Sequence, residues 1–295
     1  MPTDTQFATD WLEERYRFDV AARNPSVEAA CLQYFSKATD IRIIDIGAGS
    51  GANLVYLADK LPPLQHWALL DLNPKLLKAA RTRIKNWGIA KGYEVSEHGD
   101  QISLERPARR IEVQLVHGSM LKLAKIFNLS SYHLATASAV LDLLTADMAD
   151  QLLKTLHTHR LALLATLNYQ QMEYFPREKA DKRFIKQYEE HMQREQDFGR
   201  ALGPACVAHL QQVYQNLPTG TFQMGPSRWQ IEPSDQDMHL HLLHFLEKSL
   251  ISLPANQQSP QALHEWLDRK RAFLQARQLR LTVEHQDCFA APVYE

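Results

Sequence analysis

Between residues 41 and 170 short apolar runs alternate with helix-length amphipathic segments, and this alternation restricts the fold more than any other feature of the chain. The runs "IRIIDI", "QHWALLDL", "IEVQLVH", "YHLATASAV" and "RLALLATLNYQ" are apolar along most of their length, whereas "NLVYLADK", "NPKLLKAARTRIKNWG" and "TADMADQLLKTLHTH" carry apolar residues at helical spacing. Strands apolar on both sides need cover on both faces, and helices interposed between successive strands let those strands run parallel. The expected fold class is α/β: a Rossmann-like, doubly wound, mostly parallel sheet with helical insertions. The segment "GYEVSEHGDQISLERPARR" alternates apolar and polar positions about a polar "HGD", which predicts an added β-hairpin at about residues 92–110.

The flanking regions follow other patterns. Residues 1–40 read as an N-terminal helical layer, with Pro25 and Ser26 opening its second helix, and residues 41–295 as the main domain. Pro74 suits the first turn of the helix after the second strand, and Gly88 suits its end. After residue 171 the chain becomes charged and helical through "REKADKRFIKQYEEHMQREQDFGRALG", giving helical insertions at about 171–217 and 233–277 that serve either as a lid or as ordinary packing. "TFQMGPSRWQI" and "LRLTVEHQDCF" are further strands.

Composition removes several classes of partner. Lys and Arg number 33 against 34 Asp and Glu, a formal charge of -1, and no block of like charge offers an electrostatic footprint for nucleic acid or an anionic membrane. Cys31, Cys206 and Cys288 form neither a metal-ligand spacing nor a paired framework, and the early acidic residues are unlike a secretory leader. No apolar run approaches the roughly 20 residues of a membrane span. These features point to a cytoplasmic chain with a small-molecule partner; the sequence leaves the oligomeric state open. Of the histidines, "HLHLLH" invites a metal reading, but His239 and His241 are two residues apart, and partly exposed helix histidines account for the run; no metal is expected.

In an open parallel sheet, ligands bind outside the carboxyl ends of the strands where strand order reverses. "DIGAGSG" ends the first strand. Gly47 and Gly49 permit a tight turn and close approach of backbone to ligand, and Gly47, Gly49 and Ala52 also satisfy the permissive dinucleotide pattern. Asp45 distinguishes the two readings: a carboxylate just before the loop opposes a pyrophosphate and suits a cation, such as the sulfonium and ammonium of S-adenosylmethionine, directly or through the loop and water. Asp71, 20 residues after Gly51, stands where an acidic side chain accepts ribose hydroxyls.

"DIGAGSG" followed by "LLDLNPKLLKAAR" resembles the first two motifs of the class I S-adenosylmethionine-dependent methyltransferases, over roughly residues 40–170. The resemblance implies that Gly47, Ala48, Gly49 and Ser50 line the methionine moiety, that Asp71 holds the ribose, and that Leu72 and Asn73 border the adenine. Ser119 and Met120 would flank the adenine edge, where the family often has an acidic residue. "TASAVLDLL" matches the segment after the fourth strand, so Ala137 and Ser138 would pass under the sulfonium, with Leu141 and Asp142 nearby. Relatives also close this pocket with a preceding helix, and of the arginines in "EERYRFDVAAR" Arg23 is the first candidate for the methionine carboxylate, Arg15 the second.

The expected activity is methyl transfer from S-adenosylmethionine to an oxygen or nitrogen of a small molecule, with S-adenosylhomocysteine as product. The fourth strand lacks the [DN]PP[YF] tetrapeptide of relatives that methylate planar amino groups. Because methyl transfer is an in-line displacement that positioning alone can accelerate, the catalytic residue stays unassigned. Asp142, Tyr169 and His191 are candidates for the substrate pocket, with Asn168 and Gln170 at the same strand end and Arg194 and Asp197 on the following helical region. Two alternatives stand beside this reading: a non-catalytic S-adenosylmethionine-binding sensor or assembly protein, and an NAD-dependent oxidoreductase.

Overall fold

The computed structural model describes residues 9–196, 199–217, 220–254, 256 and 260–292. Helices α1 (Thr9–Ala22) and α2 (Pro25–Tyr34) precede β1 (Asp40–Ile46), α3 (Ala52–Leu57), β2 (Leu64–Asp71) and α4 (Pro74–Ala90). Strands β3 (Glu94–His98), β4 (Gln101–Arg106) and β5 (Arg109–His117) follow, then the short α5 (Leu123–Ile126), β6 (Leu134–Ser138), α6 (Ala146–Thr158) and β7 (Ala162–Phe175). The remainder comprises α7 (Asp181–Met192), the two-residue strands β8 (Glu195–Gln196) and β9 (Gly199–Arg200), α8 (Cys206–Gln215), β10 (Thr221–Ile231), α9 (Gln236–Ile251), α10 (Gln261–Gln275) and β11 (Arg280–Ala291).

The main sheet has the order β10-β11-β7-β6-β1-β2-β5-β4-β3. Its centre, β7-β6-β1-β2-β5, is parallel, and each edge is an antiparallel pair. The chain moves from β1 to β2 in one direction and later fills β6 and β7 on the other side, so the order reverses between β1 and β6. A crevice at the carboxyl ends of these two strands is the position from which such sheets bind ligands.

Alternation along β1 divides the core. Ile41 and Ile43 face α2, α3 and α4 together with Val27, Leu54, Trp67 and Ile84, while Ile44 and Ile46 face α6 and α8 with Leu70, Leu152, Leu156 and Leu210. A third cluster covers the outer half of the sheet, where Phe18, Tyr174, Trp229, Leu243 and Trp266 are buried.

Several local readings change. The fifth parallel strand continues through "QQMEYF" to Phe175, because β11 pairs with it antiparallel as far as Arg280↔Phe175 and satisfies its backbone. The charged segment after it is not one long helix: α7 stops at Met192, and the short β8–β9 pair follows. Asp197 lies outside the described residues. Gly88 is inside α4, which runs to Ala90; a Cβ at Gly88 would lie 2.2 Å from Leu104 Cδ2, so the residue allows the helix to sit close on β4. His239 is buried rather than partly exposed, with its Nε2 3.1 Å from the Glu232 carbonyl oxygen.

Two buried polar groups fasten the outer elements. Asp287 on β11 accepts the Leu167 amide (2.8 Å) and Ser227 Oγ (2.7 Å) on one oxygen and the Asn24 amide (2.8 Å) on the other, joining β7, β10 and the α1–α2 corner. Lys270 on α10 is fully buried, with Nζ 2.6 Å from Asp181 and 3.1 Å from Glu178. Trp266 donates to the same Asp181 carboxylate at 2.8 Å. Among the described residues no helix is long and apolar enough to cross a membrane, and no group of three or more metal-ligating side chains occurs.

Candidate active site

The end of β1 turns through Gly47, Gly49 and Gly51, each with positive φ (63°, 54° and 74°). A Cβ at Gly47 would approach Val140 Cγ2 to 2.7 Å. The Ala48 amide donates to the Leu70 carbonyl, which ties the loop to β2, and Ala48 and Ser50 are buried. Helix α3, which follows the loop, is six residues long.

Asp45 is 1% exposed and does not face the crevice directly. Its Oδ1 accepts from Thr136 Oγ1 at 2.6 Å and from Asn53 Nδ2 at 3.0 Å; Oδ2 has no partner among the described residues. Burial raises its pKa to about 6, opposed by the hydrogen bonds from Thr136 and Asn53 and by the charge of Arg23. Asn53 passes the interaction on, because its Oδ1 accepts Arg23 Nη2 at 2.9 Å. Arg23 also donates to Thr166 Oγ1 (2.6 Å) and Ser138 Oγ (3.4 Å), and its guanidinium lies 4.9 Å from the Tyr56 ring centroid. Its Nε is buried without a partner among the described residues. The guanidinium therefore stands over the carboxyl end of β6 and over Thr166, the β7 residue paired with Ser138, beside the glycine loop.

The Asp71 carboxylate spans the neighbouring strand end. Oδ2 accepts the Gly49 amide and Oδ1 the Asn73 amide, both at 2.8 Å, leaving lone pairs on each oxygen. Leu72 is 38% exposed, and its carbonyl lies 3.0 Å from His117 Nε2. Ser119 follows β5 and accepts the Leu121 amide, holding a short turn, with Met120 packed on the α6 face of the core. Ala137 is buried at the end of β6, and Ser138 is half-buried beneath Arg23. The structure thus gathers Arg23, Asp45, Gly47, Gly49, Asp71 and Ser138 at one strand edge; Arg15 is elsewhere.

Arg15 and Asp19 form a 3.0 Å ion pair on α1, and the Arg15 guanidinium sits 4.8 Å from the Trp229 ring centroid. Trp229 Nε1 donates to Asp19 Oδ1 at 3.2 Å, and its ring centroid is 5.1 Å from that of His285. Tyr169, on β7, lies edge-on to both His285 and Tyr188 and donates its hydroxyl to Glu189 Oε1 at 3.3 Å. Asp142, in the turn after β6, is 7% exposed, and its Oδ1 has no partner among the described residues. Burial raises its pKa to about 6, partly countered by its own amide, Arg15 and the Tyr169 amide, and the Asp142 charge in turn helps raise the pKa values of Tyr169 and Tyr188. His191 does not join this group: its Nδ1 lies 3.5 Å from Ser252, and burial with the charge of Arg194 lowers its pKa to about 4.

Asn53, Thr136 and Thr166 are participants that the loop pattern does not reveal, since neutral amides and hydroxyls carry no motif of their own. His285 had a readable signal: Leu281, Val283, His285 and Asp287 share one buried register of β11, so two polar residues occupy positions where the alternation calls for apolar ones. Trp229, Tyr188 and Glu189 arrive from elements distant in sequence, and only the β10-β11-β7 order brings them together.

No family model and no curated protein matches the chain. Among solved structures, a putative methyltransferase from Bacillus halodurans is 11% identical, with a TM-score of 0.51 over 91% of this chain and 100% of that one. A phosphoethanolamine N-methyltransferase 2 from Haemonchus contortus, in complex with S-adenosyl-L-methionine, is 12% identical with a TM-score of 0.46; 98% of this chain spans 59% of its length. A cyclopropane synthase from Mycobacterium tuberculosis is 10% identical with a TM-score of 0.44, covering 95% of both chains. The strand order with its reversal at β1, the glycine loop and the likeness to the first of these structures agree: the chain has the Rossmann-like fold of the class I S-adenosylmethionine-dependent methyltransferases.

Proposed function

We propose that the chain is an S-adenosylmethionine-dependent methyltransferase with a small-molecule acceptor, methylated on oxygen or nitrogen. The observation that carries this reading is the Asp45–Asn53–Arg23 relay beside the glycine loop. It presents at the strand edge a guanidinium whose buried Nε has no partner among the described residues, a fitting partner for the α-carboxylate of an amino-acid moiety. Asp71, already oriented by the Gly49 and Asn73 amides, retains acceptor capacity for two ribose hydroxyls. A pyrophosphate would meet Asp71 and the buried Asp45 without a matching basic group on the loop itself, which disfavours a dinucleotide.

On this reading Gly47, Ala48, Gly49, Ser50, Ala137 and Ser138 frame the methionine end, with Leu72, Asn73, Ser119 and Met120 about the adenine. When bound, S-adenosylmethionine supplies a methyl group activated by a sulfonium. The protein's part is to fix that group at the end of β6 and to hold an acceptor against it. Asp142 and Tyr169 stand next to that position, and α1 covers both sides: Leu12 comes within 3.9 Å of where a Gly49 Cβ would be, while Arg15 and Asp19 lie toward Tyr169 and His285.

Isothermal titration calorimetry with S-adenosylmethionine, S-adenosylhomocysteine and NADH tests the cofactor. Saturable binding of the first two and none of the third is expected, and the reverse pattern defeats the reading. A sensor or assembly role is separated by incubating the protein with methyl-labelled S-adenosylmethionine and the low-molecular-mass fraction of a cell extract. Labelled product marks an enzyme; binding with no product favours the sensor.

A further inference from the structure

A group of buried side chains beyond the cofactor edge carries chemistry that the cofactor does not use. Among the described residues, Asp142 Oδ1 is buried without a partner, and so is His285 Nδ1. Unpaired buried polar atoms are costly and call for an explanation. Around them stand the rings of Tyr169, Tyr188 and Trp229, with Tyr169 6.2 Å from Tyr188 and 6.3 Å from His285 between centroids. Ser138 and Ala139, which lead into the Asp142 turn, are half-exposed, so the group borders an accessible part of the strand edge. The shallow depression bounded by Thr39, Pro63, Glu105 and Arg109 opens at the opposite, amino edge and has no such unpartnered carboxylate.

The charges facing this region come from every element around it. Arg15 and Asp19 on α1 pair with one another, Glu189 on α7 accepts from Tyr169, and Asp142 adds a carboxylate that accepts backbone amides but whose Oδ1 has no partner among the described residues. His285 stays neutral, since burial and then Arg15 push its pKa down to about 3, and the Cys206 thiol on α8 is pushed up by burial and by Asp142. The surroundings are therefore aromatic with a net excess of acid. That combination recognises an ammonium: the carboxylate accepts its N–H, and ring faces attract its charge.

We infer that the acceptor is a small organic amine, bound through its nitrogen to Asp142 among Tyr169, Tyr188 and Trp229, and that Asp142 is the base that takes the proton from that nitrogen. The inference rests on the methyltransferase reading and narrows its acceptor to nitrogen. In the step assigned to Asp142, one N–H bond of the ammonium breaks and an O–H bond forms on the carboxylate. The electron pair stays on nitrogen, which becomes the neutral nucleophile that methyl transfer requires. A carboxylate already displaced upward from its ordinary range is a better match to this task than an exposed one.

The test uses the full chain saturated with S-adenosylhomocysteine, with benzylamine as the probe and benzyl alcohol as its uncharged counterpart. Calorimetry should show saturable benzylamine binding that weakens at least about tenfold in Asp142→Asn, the scale of one charged hydrogen bond, and no comparable change for benzyl alcohol. A circular-dichroism melt of Asp142→Asn and its retained S-adenosylhomocysteine affinity establish that the variant is folded. In parallel, labelled products formed with the cell-extract fraction should be N-methyl amines, retained on cation exchanger and stable to base. Absence of S-adenosylhomocysteine binding defeats the underlying methyltransferase reading. Cofactor binding without amine binding, amine binding indifferent to Asp142→Asn, or a labelled ester or ether overturns the amine inference alone.

Discussion

Arg23 Nη2 donates to Asn53 Oδ1 at 2.9 Å, and through this contact the corner between α1 and α2 is joined to the buried Asp45. Replacing Arg23 by alanine should weaken S-adenosylhomocysteine binding by roughly 1.5 to 3 kcal/mol, the range for hydrogen bonds to charged groups. Calorimetric dissociation constants measure the loss. Arg23→Lys should recover only part of it, because an ammonium cannot span Asn53 and Thr166 while also gripping a carboxylate as a fork.

Asp71→Ala should lower cofactor affinity by about 1 to 3 kcal/mol and leave the fold intact. The contact it loses with the Gly49 amide faces the half-open loop, where water can replace it. Affinity and melting temperature measured on the same preparation separate the two effects; an unchanged affinity contradicts the ribose assignment.

Gly47→Val meets two obstacles at once. Its φ of 63° is strained for a β-branched residue, and its Cβ would lie 2.7 Å from Val140 Cγ2. Cofactor binding should be abolished in a titration, and the melting temperature should fall. Retained binding would mean that the loop does not approach the ligand.

Lys270→Met should destabilise the chain by about 3 to 5 kcal/mol, since it leaves the buried Asp181 carboxylate without its cation, whereas Glu178 keeps its 2.6 Å pair with Arg269. Urea unfolding provides the measurement. Adding Asp181→Asn should return part of the stability by removing the stranded charge, while cofactor affinity stays unchanged in both variants.

His285 gives a pH dependence with a defined sign. Burial lowers its pKa to about 3, against roughly 6.5 for an unperturbed histidine. Between those values the unfolded chain binds the extra proton, so stability falls as pH falls, by at most about 1.4 kcal/mol per unit. Asp45 and Asp142, raised to about 6, oppose it: from about pH 4 to 6 the folded chain holds their protons, and stability falls as pH rises. Subtracting His285→Asn from the wild type removes the carboxylate contribution. The stability gap between them should narrow from pH 7 to pH 5 in urea titrations; a constant gap would mean that His285 is solvated.

The parallel centre of the sheet was legible because its strands are apolar on both faces and punctuated by Pro74 and the glycine loop, local signals that survive in one dimension. The position of Asp71 at the end of β2, beside that loop, is legible from its spacing in the same way. Asn53 is different: nothing about a neutral amide in "GANLV" announces that Asp45 will hold one end of it and Arg23 the other. The helical reading beyond residue 171 failed at "QQMEYF" because pairing with β11, more than a hundred residues later, decides the conformation there. His191 and Arg15 were chosen by chemistry alone. Packing directs the former to Ser252, and Asp19 and Trp229 hold the latter.

Leu12, Arg15 and Asp19 lie on one helix, yet Leu12 borders the glycine loop while the other two stand beside Trp229 and His285. Undocking of α1 therefore uncovers both regions in a single event. Ligands that require the helix in place are thermodynamically linked: whatever factor the first adds to the affinity of the second, the second must return to the first.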